Sequence, residues 1–321
     1  MSRLALIFAL IGLAAAVRHA DAQPPRYPNR PIEIIVSYAA GGSTDVISRA
    51  IGQKFQERLG QSVVVLNRPG ASGSIGALSA IRAAPDGYTL YGGFTTEIVV
   101  LPLLSKNAKY SIDDFEPIAV TGIVPLVLIG SKNVQANTLR ELIAEARRAP
   151  GKLTYAGSLG SPSHILGAWL NQLRHITMTH IPYRGGAQAV GDVAGGHVDL
   201  LFAGISAAKG AIDSGLVKTF AQTGDRRSSS LPDVPTFKEA GVRQFDLDSW
   251  CVLMAPQGTP AEIVALLKQE TANALADPQI KANLAAQGVE PSATQDVRAF
   301  LTHERDKFGR AVRELGITLD Q

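Results

Sequence analysis

Three glycine-containing loops of this chain follow apolar runs and could do chemistry with an anion. The first is Ser37-Tyr38-Ala39-Ala40-Gly41-Gly42-Ser43-Thr44-Asp45. An apolar run ends there, two glycines permit a tight turn, and a helical pattern begins beside Ser43 and Thr44. Free N–H groups in a helix's first turn, with the positive end of its dipole, favour a carboxylate or phosphate. The same residues also fit an ordinary glycine turn capped by Ser or Thr. The second loop, Asn67-Arg68-Pro69-Gly70-Ala71-Ser72-Gly73-Ser74-Ile75-Gly76, lacks both the G-x-G-x-x-G spacing and a Gly-Lys-Ser/Thr ending. That argues against a nucleotide site. The third, Gly157-Ser158-Leu159-Gly160-Ser161-Pro162-Ser163-His164, opens another helix with a further set of hydroxyls and amides. Two such helix starts on different halves of the chain suggest a ligand held between two lobes. His164 reads either as a ligand contact or as a histidine packed under its helix. Tyr183-Arg184-Gly185-Gly186 reads either as a carboxylate contact or as a turn with a solvated arginine.

Covalent and metal chemistry find no foothold. There is no G-x-S-x-G elbow, and His164, His175, His180, His197 and His303 show no H-E-x-x-H or comparable metal spacing. The single cysteine, Cys251, sits inside an apolar run and reads as a buried structural thiol. No catalytic residue, metal or cofactor is expected, and one thiol allows no intramolecular disulfide.

The elements that must position these loops alternate. Strand-like runs lie at Ile32–Ser37, Val63–Leu66, Tyr88–Gly92, Leu126–Gly130, Leu153–Ala156, Val198–Phe202, Val217–Ala221 and Trp250–Ala255. Their Ile, Val and Leu content with little polar alternation is how strands of a parallel sheet, buried on both faces, read. Between them, Val46, Ile47, Ala50, Ile51, Phe55 and Leu59 mark one helical face, with Gly60 where a C-terminal cap belongs. Leu139, Leu142, Ile143 and Ala146 mark another. Such alternation predicts doubly wound α/β sheets with helices on both faces. After Pro260 the pattern changes to three helical segments, Ala261–Ala276, Gln279–Gln287 and Thr294–Leu315, with no strand between them.

Residues 1–22 read as a secretory signal peptide. Arg3 supplies the positive start, Leu4 to Val17 the apolar stretch, and Ala20-Asp21-Ala22 the small-x-small cleavage pattern. The stretch is about 14 residues, short of the roughly 20 a bilayer span needs. No cysteine follows the cleavage site, so a free, unlipidated, periplasmic protein is expected. The formal net charge is only +3, with no basic run, which gives no case for nucleic acid.

Short motifs along the whole chain carry a resemblance. They are Tyr27-Pro-Asn-Arg-Pro-Ile32, Gly41-Gly-Ser-Thr-Asp45, Asn67-Arg-Pro-Gly70, Ala84-Pro-Asp-Gly-Tyr-Thr-Leu90, Pro150-Gly-Lys-Leu153, Ile181-Pro-Tyr183, Leu231-Pro-Asp-Val-Pro-Thr236 and Ala255-Pro-Gln-Gly-Thr-Pro260. The sequence resembles the Bug/TctC-type extracytoplasmic receptors of tripartite tricarboxylate transport systems. The resemblance implies a type II periplasmic-binding-protein fold whose chain crosses twice between lobes. Residues 23–125 and 247–321 are expected to form lobe 1, and 126–246 lobe 2. It implies a non-enzymatic, monomeric receptor that closes on a small organic carboxylate and delivers it to membrane permease subunits. Tyr38 to Asp45 would supply the first grip, and the Phe94-Thr95-Thr96-Glu97 loop a wall. Ser161, Ser163 and His164 would close from lobe 2 with Ala203; Tyr183 joins this set from its own loop.

Three departures from the family bear on the ligand. Ala39-Ala40-Gly41-Gly42 stands where A-P-G-G is common, Ala203 where Asp or Asn is frequent, and Leu101 where Asn often precedes Pro102. A cleft short of two polar groups suggests a monocarboxylate or aromatic carboxylate rather than citrate. An ionised Glu97 facing the cleft would repel a second carboxylate or accept an amine. The same closed form could instead be presented to a sensor. An exported enzyme on this fold would need a nucleophile–base pair that the sequence does not offer.

Overall fold

The computed structural model describes residues 27–319 except 184, 185, 244, 246 and 293. The expected signal segment and Arg184-Gly185 lie outside the described residues. Two five-stranded sheets organise the rest. The first has the order β2 (Val63–Asn67), β1 (Ile32–Val36), β3 (Thr89–Phe94), β10 (Ser249–Pro256), β4 (Phe115–Val124). The second has the order β7 (Thr179–Pro182), β6 (Thr154–Gly157), β8 (Leu200–Gly204), β5 (Leu126–Gly130), β9 (Lys218–Gln222).

Both sheets are mixed rather than wholly parallel. Strand β10 runs antiparallel to β3 and β4, and β5 runs antiparallel to β8 and β9. These are the strands that enter a sheet from the other one. The chain passes from β4 to β5 through Pro125 alone and returns through residues 223–248 into β10. The passages are tied together: Leu126 N–H donates to Thr223 Oγ1 at 2.9 Å, and Thr223 N–H to Leu126 O at 2.8 Å.

Two strands have no counterpart among the runs read from sequence. In β4 an apolar run is broken by Glu116, Pro117, Thr121 and Gly122, which an edge strand tolerates. Strand β7, Thr-His-Ile-Pro, is a short, half-exposed edge.

Helix α1 (Ser43–Leu59) buries Ile47, Ile51 and Phe55 against β1 and ends on Gly60, left-handed at φ 71°. Then come α2 (Ser74–Ile81), the single-turn α3 (Leu101–Leu104) and α4 (Leu139–Arg148). The side chain of Thr138 caps α4, which buries Leu139, Leu142, Ile143 and Ala146. Helix α5 (Pro162–Arg174) follows β6, α6 (Gly186–Ala194) precedes β8, and α7 (Ile205–Asp213) follows it. The strandless C-terminal part is α8 (Ala261–Ala276), α9 (Pro278–Ala286) and α10 (Val297–Leu315). An isolated bridge, Ile123 with Glu290, joins this part to sheet 1 by backbone. One apolar cluster runs from Tyr91, Trp250 and Phe308 beside the first sheet to Leu166, Phe202 and Phe245 beside the second.

Candidate functional site

A cavity of about 480 Å³ opens where the ends of both sheets meet, a size typical of small-molecule sites. Gly41, Gly42, Ser43 and Phe94 line it from the first sheet. Pro162, Ser163, Gly204, Ser206 and Ala207 line it from the second. Val124, Leu126 and Ser249 contribute at the crossings, and Gln287 from the end of α9. No charged side chain is among these residues. Among the described lining residues, what can meet a ligand's charge is backbone dipoles and hydroxyls. A larger groove of about 650 Å³ lies elsewhere, between α8, β4 and the chain before α10, and touches none of the three loops.

The first loop is built to leave amides unclaimed. Gly42 is the N-cap of α1, in extended conformation, and no side chain caps the helix. Neither Ser43 nor Thr44 plays that role; Thr44 is buried with its hydroxyl 3.7 Å from Cys251 Sγ. Asp45 holds the loop rather than facing the cavity. Its Oδ2 accepts from Gly41 N–H and Arg49 Nε, both at 3.0 Å, and its Oδ1 accepts from Asn67 Nδ2 at 2.9 Å. Asn67 Nδ2 also donates to Tyr38 O at 2.9 Å, so one bracket grips both ends of the turn. Burial opposes ionisation of Asp45, yet Arg49, the Gly41 N–H and Asn67 outweigh it and keep the carboxyl below its ordinary range.

The third loop spends its polar groups internally. Ser161 caps α5, its Oγ accepting from His164 N–H at 3.4 Å, with Pro162 in the first turn. Ser163 lines the cavity, but its hydroxyl donates to Phe202 O at 2.6 Å. His164 is buried; its Nδ1 accepts from Gly160 N–H at 3.2 Å and its ring stacks on His180 at 4.1 Å. Burial, with His180 beside it, pushes its pKa down to about 4, so the ring is a neutral brace. In the same lobe, α7 starts differently. Its N-cap is Gly204, again with no side-chain cap, directly after β8.

Of the remaining residues expected at the site, Thr95, Glu97 and Ala203 are buried, whereas Ala39 and Ala40 are exposed. Thr95 is fully buried, accepting from Trp250 N–H at 2.7 Å and donating to Trp250 O at 3.2 Å. Glu97 is also fully buried and does not face the cleft, so it offers a ligand no direct contact. Its Oε2 accepts from the Tyr38 hydroxyl at 2.6 Å, its Oε1 from Phe94 N–H at 2.6 Å, and Tyr91 Oη lies 3.0 Å from Oε1. Burial pushes its pKa up to about 7, against the Tyr38 and Phe94 hydrogen bonds. Tyr38 thus spends its hydroxyl on Glu97. Ala203 is packed in the core of its sheet, and Tyr183 donates to Asp192 Oδ2 at 2.7 Å. Thr96, Ala39 and Ala40 are not among the lining residues.

Of the loop expected as a wall, Phe94 is the residue that lines the cavity; sequence reasoning missed Gly204, Ser206, Ser249 and Gln287. A glycine directly after a strand and before a helix was the available signal for Gly204. Ser249 had none: it begins a strand distant from every loop, yet its buried hydroxyl has no partner. Alternation along β10 puts it on the same face as Cys251, toward α1, while Trp250 points to α10 and Glu304.

Two α/β sheets joined by two crossings, with uncapped helix starts around a cavity between them, define a bilobal solute-binding protein. The chain belongs to the tripartite tricarboxylate transporter family receptors (TctC), whose pattern matches residues 47–317. Protein BugT of Bordetella pertussis is 36% identical over 320 residues, 98% of either chain. The structure of Rpa4515 of R. palustris with adipate is 31% identical with a TM-score of 0.81, covering 91% of this chain and 99% of that one. MatC from Rhodopseudomonas palustris, with bound malate, is 29% identical with a TM-score of 0.77, covering 89% and 100%. Among the described residues, no helix is long and apolar enough to cross a membrane, and no group of His, Cys, Asp and Glu could hold a metal.

Proposed function

We propose that this protein is a periplasmic receptor that captures a small organic carboxylate without altering it and hands it to membrane permease subunits. The observation that carries the reading is the pair of helix starts at Gly42 and Gly204, both without side-chain caps, on an uncharged cavity. One carboxylate sits on the first-turn amides of α1. The ligand's body lies against Phe94, Val124 and Leu126, and its far end meets Gly204 and Ser206. Adipate and malate in the related structures support a carboxylate. The apolar lining favours an aliphatic chain or ring over citrate, whose third carboxylate would find neither a cation nor a third open helix start.

Lobe 1 comprises residues 23–125 and 247–321, and lobe 2 residues 126–246, in keeping with the two sheets. Closure is a hinge motion at the two crossings, and the closed face is what the permease reads. The monomer is the working unit, exported by a signal peptide cleaved near Ala22.

A thermal-shift screen of the protein from Gln23 onward tests this, with a panel from citrate through adipate and malate to benzoate. A ligand at a hundredfold excess over its Kd adds about 2.7 kcal/mol, which raises the melting midpoint by roughly 5–10 °C. Adipate or benzoate shifting more than citrate is the expected result. Response to neutral solutes or amines alone would overturn the carboxylate reading.

A further inference from the structure

Behind the cavity wall lies a chain of four oxygen–oxygen contacts in which the protons can be counted. Tyr38 Oη to Glu97 Oε2 is 2.6 Å, and Glu97 Oε1 to Tyr91 Oη is 3.0 Å. Tyr91 Oη to Ser37 Oγ is 2.5 Å, and Ser37 Oγ to Gly73 O is 2.7 Å. The last atom is a carbonyl oxygen, which only accepts, so Ser37 must donate to it. Ser37 then has no proton left, and Tyr91 must donate to Ser37. Tyr91 in turn has none left for Glu97. Three hydroxyl protons cannot serve four contacts; the fourth must come from the carboxyl itself.

We infer that Glu97 carries a proton and heads a one-way hydrogen-bond chain, Glu97 to Tyr91 to Ser37 to Gly73, that positions the second glycine loop and the cavity wall. The anchored loop needs such a tie. Ala71 and Ser72 are both held at positive φ, 47° and 53°, a conformation that L-residues adopt at a cost. Gly73, at φ 96°, packs so closely on Glu97 that an added Cβ would lie 2.9 Å from the Glu97 Cβ. At the other end, the carboxyl accepts from Phe94 N–H, and Phe94 lines the cavity.

The surroundings favour the neutral form. Glu97 is fully buried in a π-helical turn, Thr96–Val100, and among the described residues its side-chain hydrogen bonds are to Tyr38, Tyr91 and the Phe94 N–H, none of them a cation. The titratable groups facing it are Tyr38, Tyr91 and Tyr110, whose hydroxyl donates to Glu97 O at 3.0 Å, and Cys251 in β10. All four stay neutral near pH 7, because burial raises each of them. A neutral carboxyl that donates a hydrogen bond inside an apolar site is established chemistry. Burial pushing Glu97 up to about 7 agrees with the proton count.

Between the ordinary value of 4.5 and about 7, the folded protein holds a proton that the unfolded chain has released. This contribution to stability is therefore complete below pH 4.5 and is lost as pH rises through about 7. Loss of the proton breaks one link of the chain. It also leaves a negative charge behind Phe94, which weakens binding of an anion in the cavity.

Infrared spectra of the ligand-free protein test the proton directly. A protonated-carboxyl band is expected at pH 6 that disappears near pH 8, and the part missing from Glu97→Gln is the Glu97 band; subtraction removes any other carboxyl raised by burial, Asp248 among them. Tyr91→Phe removes the acceptor of that proton and should move the band's loss to lower pH. No Glu97-dependent band at pH 6, or a titration unmoved by Tyr91→Phe, overturns the inference. The link to the cavity rests on the carboxylate reading and is tested with adipate. Its affinity should fall by up to about tenfold per pH unit above pH 7 in the native protein and stay flat in Glu97→Gln. Equal slopes in both would refute the link. Absence of adipate binding at every pH would count against adipate as ligand, and the infrared result would still decide the state of Glu97.

Discussion

Helix α1 and helix α5 both begin in a Gly/Ser loop after a buried strand, on opposite sides of one cavity. At α5 the cap is a serine side chain, a proline fills the first turn, and a buried histidine takes the Gly160 amide. At α1 the cap is a glycine and the nearby carboxylate, Asp45, is turned away into Arg49, Asn67 and Gly41 N–H. The start of α5 is finished by its own residues. That of α1 is braced from behind and left open in front. In the lobe of α5 the open start is α7 instead, capped by Gly204. Similar loop composition thus hides opposite uses of the helix N-terminus, and the difference lies in where the polar side chains point.

Closing the open starts should have the largest effect. An added Cβ at Gly42 meets nothing nearer than Ala39 O at 3.7 Å, and at Gly204 nothing within 4 Å, so both accept a side chain. Gly42→Asp places a carboxylate on the amides of α1. Ligand affinity measured by titration calorimetry should fall at least about a hundredfold, near 2.7 kcal/mol. Ligand-free stability should rise by a few tenths of a kcal/mol. Gly204→Asp should behave alike if both starts hold the ligand.

Ser161→Ala probes the finished start. Denaturant unfolding should register a loss of about 1 kcal/mol, the usual worth of an N-cap hydroxyl, with affinity nearly unchanged. Were affinity to collapse while stability held, α5 would be the grip and the comparison would be inverted.

Ser249→Ala sharpens the role of the cavity base. Its buried hydroxyl has no hydrogen-bond partner among the described residues, so its removal should leave stability unchanged or raise it by roughly 0.5–1 kcal/mol. Affinity for a ligand that bonds it should drop about fivefold. Unchanged affinity would mean that the ligand stops short of the base.

The smallest effect is acid sensitivity at His164. Its folded pKa is depressed, so the unfolded chain binds a proton first, and stability falls as pH drops from 6.5 through about 4. Comparing melting curves with His164→Asn should show the variant with a flatter profile over that window. Identical profiles would remove the histidine from the account.

Much of the scaffold was legible because its signals are local. The run at Leu126–Gly130, the Gly60 stop and the Ala261–Ala276 helix stand where sequence puts them. Strand β4 was hidden because Glu116, Pro117 and Gly122 interrupt it, and its pairing with β10 joins residues far apart in sequence. The first loop's place on the cavity was legible at Gly41, Gly42 and Ser43, since glycines and a helix start leave a composition signal. What the neighbouring polar groups do was not. Asp45, Thr95 and Glu97 have the residue types of ligand contacts, but Asn67, Trp250 and Tyr91 arrive from distant segments and engage them. Ser249 and Gly204 reach the cavity only because two sheets meet there.

The most direct test is a crystal structure of the protein from Gln23 onward with the carboxylate that binds it tightest. A carboxylate is expected against the amides of the first turn of α1, beside Gly42, with the ligand's body against Phe94 and Leu126. A carboxylate on the Ser161 end of α5, with only water at Gly42, would contradict it.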